Sequence, residues 1–115
     1  MIKIQSLNQN QQFRSVLGKN KLNNNYFTIY FMKKVFEKKN NSLNMSFVTK
    51  KKVGTAVKRN KIRRKLRAAV QKVLTNNKTI NLNYTYIIFG KFTIYKEKFS
   101  VIFNEINKAF GKIKK

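Results

Sequence analysis

Between Lys50 and Arg67 the chain reads KKKVGTAVKRNKIRRKLR, and here the residue types with phosphate chemistry are concentrated. Four of the five Arg residues (Arg59, Arg63, Arg64 and Arg67) fall within nine positions, whereas Lys is used 22 times along the chain. A guanidinium is a planar fork that grips phosphate through paired hydrogen bonds and stacks on bases; an ammonium is a point charge. At 3.6 residues per turn Asn60, Arg63, Arg64 and Arg67 share one flank of a helix, roughly opposite Ile62 and Val73. Lys50–Lys52 and a turn at Gly54 come just before that helix, whose first amides also attract anions. A solvated basic face without a ligand and a helix lying on a membrane surface are the competing readings. The apolar side of the helix lacks aromatic anchors and is committed to a core, so a polyanion is favoured.

Other chemistries are removed by what is missing. The 115 residues contain no Cys, His, Asp, Trp or Pro. There is then no disulfide framework, no thiolate nucleophile, no Cys-based zinc site and no imidazole base near neutral pH. The side-chain carboxylates are Glu37, Glu97 and Glu105. Glu97 and Glu105 are separated by about 12 Å along a helix, too far to act as a dyad. No catalytic residue is expected, and no metal site on the protein. Lys and Arg number 27 against these three acids, a formal net charge of +24. A compact body of one sign repels itself and calls for an anionic partner: nucleic acid, an anionic membrane or an acidic protein. No apolar run resembles a secretory signal or approaches the roughly 20 residues that span a bilayer. A cytoplasmic protein is expected.

The elements that must carry the basic helix follow from periodicity. Asn10–Leu17 predicts a short helix, with Phe13, Val16 and Leu17 at i, i+3 and i+4 and Gly18 as its stop. Tyr26–Phe36 is rich in aromatic and β-branched residues and predicts a strand, and the polar stretch Glu37–Ser42 a hairpin loop. Leu43, Met45, Phe47 and Thr49 alternate with polar or smaller neighbours, predicting a second strand. Thr55 is a candidate N-cap for a helix over Ala56–Leu74, whose apolar stripe is Ile62, Leu66, Ala69, Val70 and Val73. Tyr84–Lys91 is nearly continuously apolar, the pattern of a strand buried on both faces. Lys96–Ile113 predicts an amphipathic helix with Phe99, Ile102, Phe103, Ile106, Phe110 and Ile113 on one stripe. Lys112–Lys115 is expected to fray. With 42% hydrophobic residues the chain supports one α+β domain over residues 1–115. The expected architecture is a two-layer sandwich in α-β-β-β-α-β-α order: a small, mostly antiparallel four-stranded sheet, three helices, and a β-α-β crossover through the basic helix.

The basic window has a second meaning. Lys51-Lys52-Val53-Gly54, Ala56-Val57, Arg59-Asn60, Ile62-Arg63-Arg64 and Leu66-Arg67 together resemble the signature of the bacterial ribonuclease P protein subunit. Phe13 with Val16-Leu17, Phe27-Thr28-Ile29-Tyr30 and Tyr86-Ile87-Ile88-Phe89 resemble its first helix, first strand and last strand. The resemblance covers about 100 residues. It implies a protein that binds a large catalytic RNA and helps it remove the 5′ leader from precursor tRNA, needing neither a membrane nor a protein partner. The RNA would perform the phosphodiester hydrolysis with Mg2+ that it mainly holds itself. Lys51, Lys52, Arg59, Asn60, Lys61, Arg63, Arg64 and Arg67 match the face turned to the catalytic RNA, with Lys61 standing at the third position of the family's R-N-R run. Phe13, Leu17, Phe27 and Tyr30 match the cleft that receives the leader, with Lys33 or Lys34 adding charge. A ribosomal or general structured-RNA-binding protein is the alternative.

Overall fold

A strand that is apolar along nearly its whole length calls for a partner on each edge and burial of most of its side chains. Tyr84–Gly90 is such a strand. The computed structural model of the chain describes residues 3–5, 14, 16–17, 20–33, 42–76 and 80–113. Its strands are β1 (Lys3–Gln5), β2 (Asn20–Asn23), β3 (Phe27–Lys33), β4 (Ser42–Val48) and β5 (Tyr84–Gly90). They form one sheet in the order β1-β4-β5-β3-β2, with β5 in the middle. A 3-10 turn at Lys51–Val53 leads into helix α1 (Ala56–Asn76), and β5 is followed by α2 (Thr93–Lys96) and α3 (Phe99–Ile113). Arg14, Val16 and Leu17 are helical; the rest of the expected Asn10–Leu17 helix, Phe13 included, lies outside the described residues.

The α+β class and the β-α-β crossover hold: β4 and β5 pair in parallel, Met45 opposite Tyr86, with α1 between them in the chain. The sheet itself differs from expectation. It has five strands, not four, and is mixed, with β1–β4 and β4–β5 parallel and β2–β3 and β3–β5 antiparallel. Nor do β3 and β4 form the expected hairpin, because β5 inserts between them and takes both of its edges from them. The added strands are the edges. Lys-Ile-Gln and Asn-Lys-Leu-Asn are too short and polar to show a period, and polar edges discourage pairing with other chains.

Register decides which side chains meet the helices. On β3 the residues Phe27 and Ile29 are buried in the core, while Thr28 and Tyr30 alternate with them. The core side gathers Leu43 and Met45 from β4 and Tyr86 and Ile88 from β5. Against it lie Ile62, Leu66, Ala69, Val70 and Val73 of α1, the expected stripe, together with Ile102, Ile106 and Phe110 of α3. Each of these Val, Leu, Ile, Met and Phe side chains contributes about 1.5–3 kcal/mol on full burial. The Tyr86 ring packs edge-on against Phe110 at 5.0 Å, and its hydroxyl donates to the Asn81 carbonyl at 2.7 Å. Burial pushes the Tyr86 phenol far above its ordinary range. At the end of β5, Gly90 lets α1 come close: a Cβ there would lie 2.7 Å from Ile62 Cγ2 and 2.9 Å from Leu66 Cδ1.

The last expected helix is interrupted. Glu97 is extended (φ −80°, ψ 152°), so α2 stands apart as one turn before α3. Glu97 Oε1 accepts from the Lys98 amide at 2.9 Å and Oε2 from the Tyr26 hydroxyl at 2.9 Å, anchoring the break to the start of β3. At the other end α3 continues through Lys112 to Ile113, contrary to a tail fraying from Lys112, because Ile113 is 5% exposed and belongs to the core. Among the described residues no helix is long and apolar enough to cross a membrane.

Candidate nucleic-acid interface

Helix α1 begins where Thr55 Oγ1 accepts the Lys58 amide at 3.3 Å, the expected cap. From that start the apolar stripe faces the sheet and the flank carrying Asn60, Arg63, Arg64 and Arg67 turns away. These four line one open concavity of about 410 Å3, with Phe47 of β4 as its apolar wall. Arg63 is the best held. One terminal nitrogen donates to Thr49 Oγ1 at 2.7 Å and the other to Asn60 Oδ1. The Arg67 guanidinium stands 6.0 Å from the centre of the Phe47 ring. Among the described residues no carboxylate lines the concavity, so the charge they bring to it is positive. Oriented guanidinium groups beside one aromatic wall suit a phosphate together with the sugar or base attached to it.

The other basic residues of the window lie around this concavity. Lys51 and Lys52 are exposed on the 3-10 turn ahead of α1. Arg59 is half-buried, its Nε donating to the Gly54 carbonyl at 3.2 Å, which ties the turn to the helix. Lys61 belongs to another flank, with Nζ 5.4 Å from the Tyr95 ring. Lys65, which sequence reasoning left unassigned, has an internal role: Nζ donates to the carbonyls of Ile94 at 2.9 Å, Tyr95 at 3.3 Å and Glu97 at 2.7 Å, at the end of α2. Burial, and then the charge of Lys61, hold its ammonium below the usual lysine range.

Phe47 and Thr49 were also missed as parts of the site. Their signal was present in the period-two pattern of β4, which puts both in phase with Leu43 and Met45 on the side that α1 crosses.

Only part of the expected leader cleft comes together. Phe27 is a core residue, fully buried beneath the helices, and does not share the side of the sheet that carries Tyr30. The reason is register: Phe27 is in phase with Ile29, and Tyr30 is out of phase with both. Tyr30 is half-buried and meets Phe89 of β5 edge-on at 5.5 Å. Lys50 Nζ lies 5.7 Å from the Phe89 ring centre, so two rings and an ammonium converge there. Phe89 is a further residue that sequence reasoning did not assign, and Lys50 was read only as part of the basic run ahead of α1. Ile87 precedes Phe89 by two positions on that same side and is fully buried, though it stands outside the core cluster beneath the helices. Leu17 is half-buried and helical, and Lys33 is exposed at the end of β3. Phe13 and Lys34 lie outside the described residues.

The fold and sequence have counterparts. The ribonuclease P protein from Thermotoga maritima superposes with a TM-score of 0.78 at 19% identity, over 96% of this chain and 99% of that one. The protein from Staphylococcus aureus gives 0.69 at 20% identity, over 94% and 93%. In sequence, the ribonuclease P protein component of Carboxydothermus hydrogenoformans is 30% identical over 107 residues, 92% of this chain and 88% of that protein. The Ribonuclease P family model matches residues 1–114. With the basic concavity on the crossover helix, the sheet order and this near-complete match in hand, the chain is placed in the ribonuclease P protein family.

Proposed function

We propose that this chain is the protein subunit of a bacterial ribonuclease P, an endoribonuclease in which it partners a catalytic RNA in the cytoplasm. The observation that carries the reading is the concavity of Asn60, Arg63, Arg64, Arg67 and Phe47 on a helix that packs directly on the sheet. In this reading α1 holds the catalytic RNA, with Lys51 and Lys52 adding charge at its start. The 5′ leader of precursor tRNA lies across the opposite side of the sheet. Tyr30 and Phe89 offer ring surface to unpaired bases there, and Lys50 offers charge to the backbone, a combination that tolerates varied leader sequence. Among the described residues no three His, Cys, Asp or Glu side chains are grouped to hold a metal. Hydrolysis is assigned to Mg2+ held mainly by the RNA, and the protein's part is to bind, orient and neutralise phosphate charge.

The test is cleavage of an end-labelled precursor tRNA by a bacterial ribonuclease P RNA at low magnesium, with and without this protein. Correct 5′ processing only when both are present is the expected result. Binding of the intact RNA without any stimulation of cleavage would instead identify a general structured-RNA-binding protein.

A further inference from the structure

A second cluster of rings and ammonium groups lies on another flank of α1. Lys58 and Lys61 stand above the short helix α2, where Phe92 and Tyr95 stack with centroids 5.7 Å apart and planes inclined by 20°. Lys58 Nζ is 5.8 Å from the Phe92 ring centre and 5.6 Å from that of Tyr95, and Lys61 Nζ is 5.4 Å from Tyr95. Phe92 is 43% exposed; among the described residues it and Val57 are the large hydrophobic side chains left open to solvent. The arrangement is anchored from below. Lys65 holds three carbonyls at the end of α2, Thr93 Oγ1 donates to the Asn25 carbonyl at 2.6 Å, and Glu97 is fastened to Tyr26. The nearby carboxylate of Glu97 is thus engaged by Tyr26 and the Lys98 amide.

An exposed Phe92 ring at the start of an anchored one-turn helix, backed by the half-buried Tyr95 and bordered by ammonium groups, has the chemistry of a stacking platform. The chain's uncompensated positive charge selects a polyanion as the occupant. Among polyanions, only one with flat unpaired rings uses the aromatic surface as well as the lysines. We propose that Phe92, backed by Tyr95, stacks on an unpaired nucleobase of RNA while Lys58 and Lys61 take the adjoining phosphates. This rests on the RNA-binding reading above. It adds a site on the opposite flank of α1 from the guanidinium concavity, so that RNA engages the helix from two sides. Lys65 is a positioning residue for the platform.

The chain has no Trp, so Phe92→Trp places a single reporter at the site. Titration with a 12-nucleotide single-stranded oligoadenylate should quench its fluorescence, and a blunt RNA duplex of equal length should not. In parallel, Phe92→Ala should weaken binding of the catalytic RNA by roughly fivefold or more, as loss of one stacked base does, with no change in salt slope. Lys58→Ala with Lys61→Ala should reduce that slope. Far-ultraviolet circular dichroism and melting confirm that each variant folds. An unquenched reporter together with wild-type affinity in folded Phe92→Ala overturns the platform. Quenching by single strand and duplex alike also overturns it, because the site would then be reading charge and not an unpaired base. If wild-type protein itself fails to bind or stimulate the catalytic RNA, its role as a ribonuclease P subunit fails instead. The oligoadenylate titration still decides the platform in that event.

Discussion

Arg63 shows how much of the proposed interface depends on single atoms. Its two terminal nitrogens are used by Thr49 and Asn60, so the guanidinium is held in one plane before any RNA arrives. Removing the Thr49 hydroxyl by Thr49→Val should leave the fold in place and loosen that plane. The expected outcome is a few-fold weaker catalytic-RNA binding at unchanged salt slope, read by filter binding. Replacing Arg63, Arg64 and Arg67 together by Ala should act differently. Each lost phosphate contact lowers the slope of log affinity against log salt by about 1; an unaltered slope would take this flank of α1 out of the interface. On the other side of the sheet, Tyr30→Ala should reduce the preference for substrates bearing a 5′ leader over those without one. Equal losses for both substrates would return Tyr30 to a packing role beside Phe89.

At the scale of elements, the join between α1 and β5 is the most exacting. Gly90→Ala would push a methyl group into Ile62 and Leu66, both fully buried, and displace the helix from the sheet. Overpacking of this kind costs about 1–3 kcal/mol, so the melting temperature should fall by several degrees, with weaker RNA binding following from the shifted helix. The Glu97 anchor has a pH signature. Its carboxyl is held below the ordinary value of 4.5, first by the Lys98 amide and then by the Tyr26 hydroxyl. A carboxyl lowered in the folded state stabilises it above that ordinary value, and the contribution disappears as pH falls through the lowered one. Acid melting curves should therefore be flatter for Glu97→Gln than for wild type, whereas parallel curves would mean that the anchor contributes nothing. The elements that could be read in the sequence were those with many residues voting together: the α1 stripe, the period of two in β4, the apolar run of β5. Strand order was not legible, because a pattern of burial says how many neighbours a strand needs and not which ones. Phe27 illustrates the same limit within a site. Its type suited a cleft, and only the phase of β3 against the helices revealed that it points the other way.

For the whole molecule, the dominant quantity is the formal charge of +24 against a modest core. Among the described residues the ion pair is Lys108 with Glu105, 4.0 Å apart on α3, so self-repulsion is relieved mainly by ions from solution. Raising ionic strength from about 0.01 M to about 0.15 M shortens the screening length from roughly 30 Å to roughly 8 Å. The melting temperature of the free protein should rise over that range, and a fall would show that specific surface pairs matter more than the overall field. RNA affinity should move in the opposite direction over the same titration.

The position of β5 also has a consequence for how the molecule is made. The sheet's central strand is the last of the five to leave the ribosome. Until Tyr84–Gly90 emerges, the chain holds the makings of two separate ribbons, β1 with β4 and β2 with β3, and a two-stranded ribbon is marginal in water. The basic helix has by then been synthesised but has no sheet to lie on. Folding must wait for contacts far apart in sequence, a topology that slows it. A nascent chain interrupted before Tyr84 would be a loose polycation that displays its arginines without the fixed geometry they have on the folded sheet.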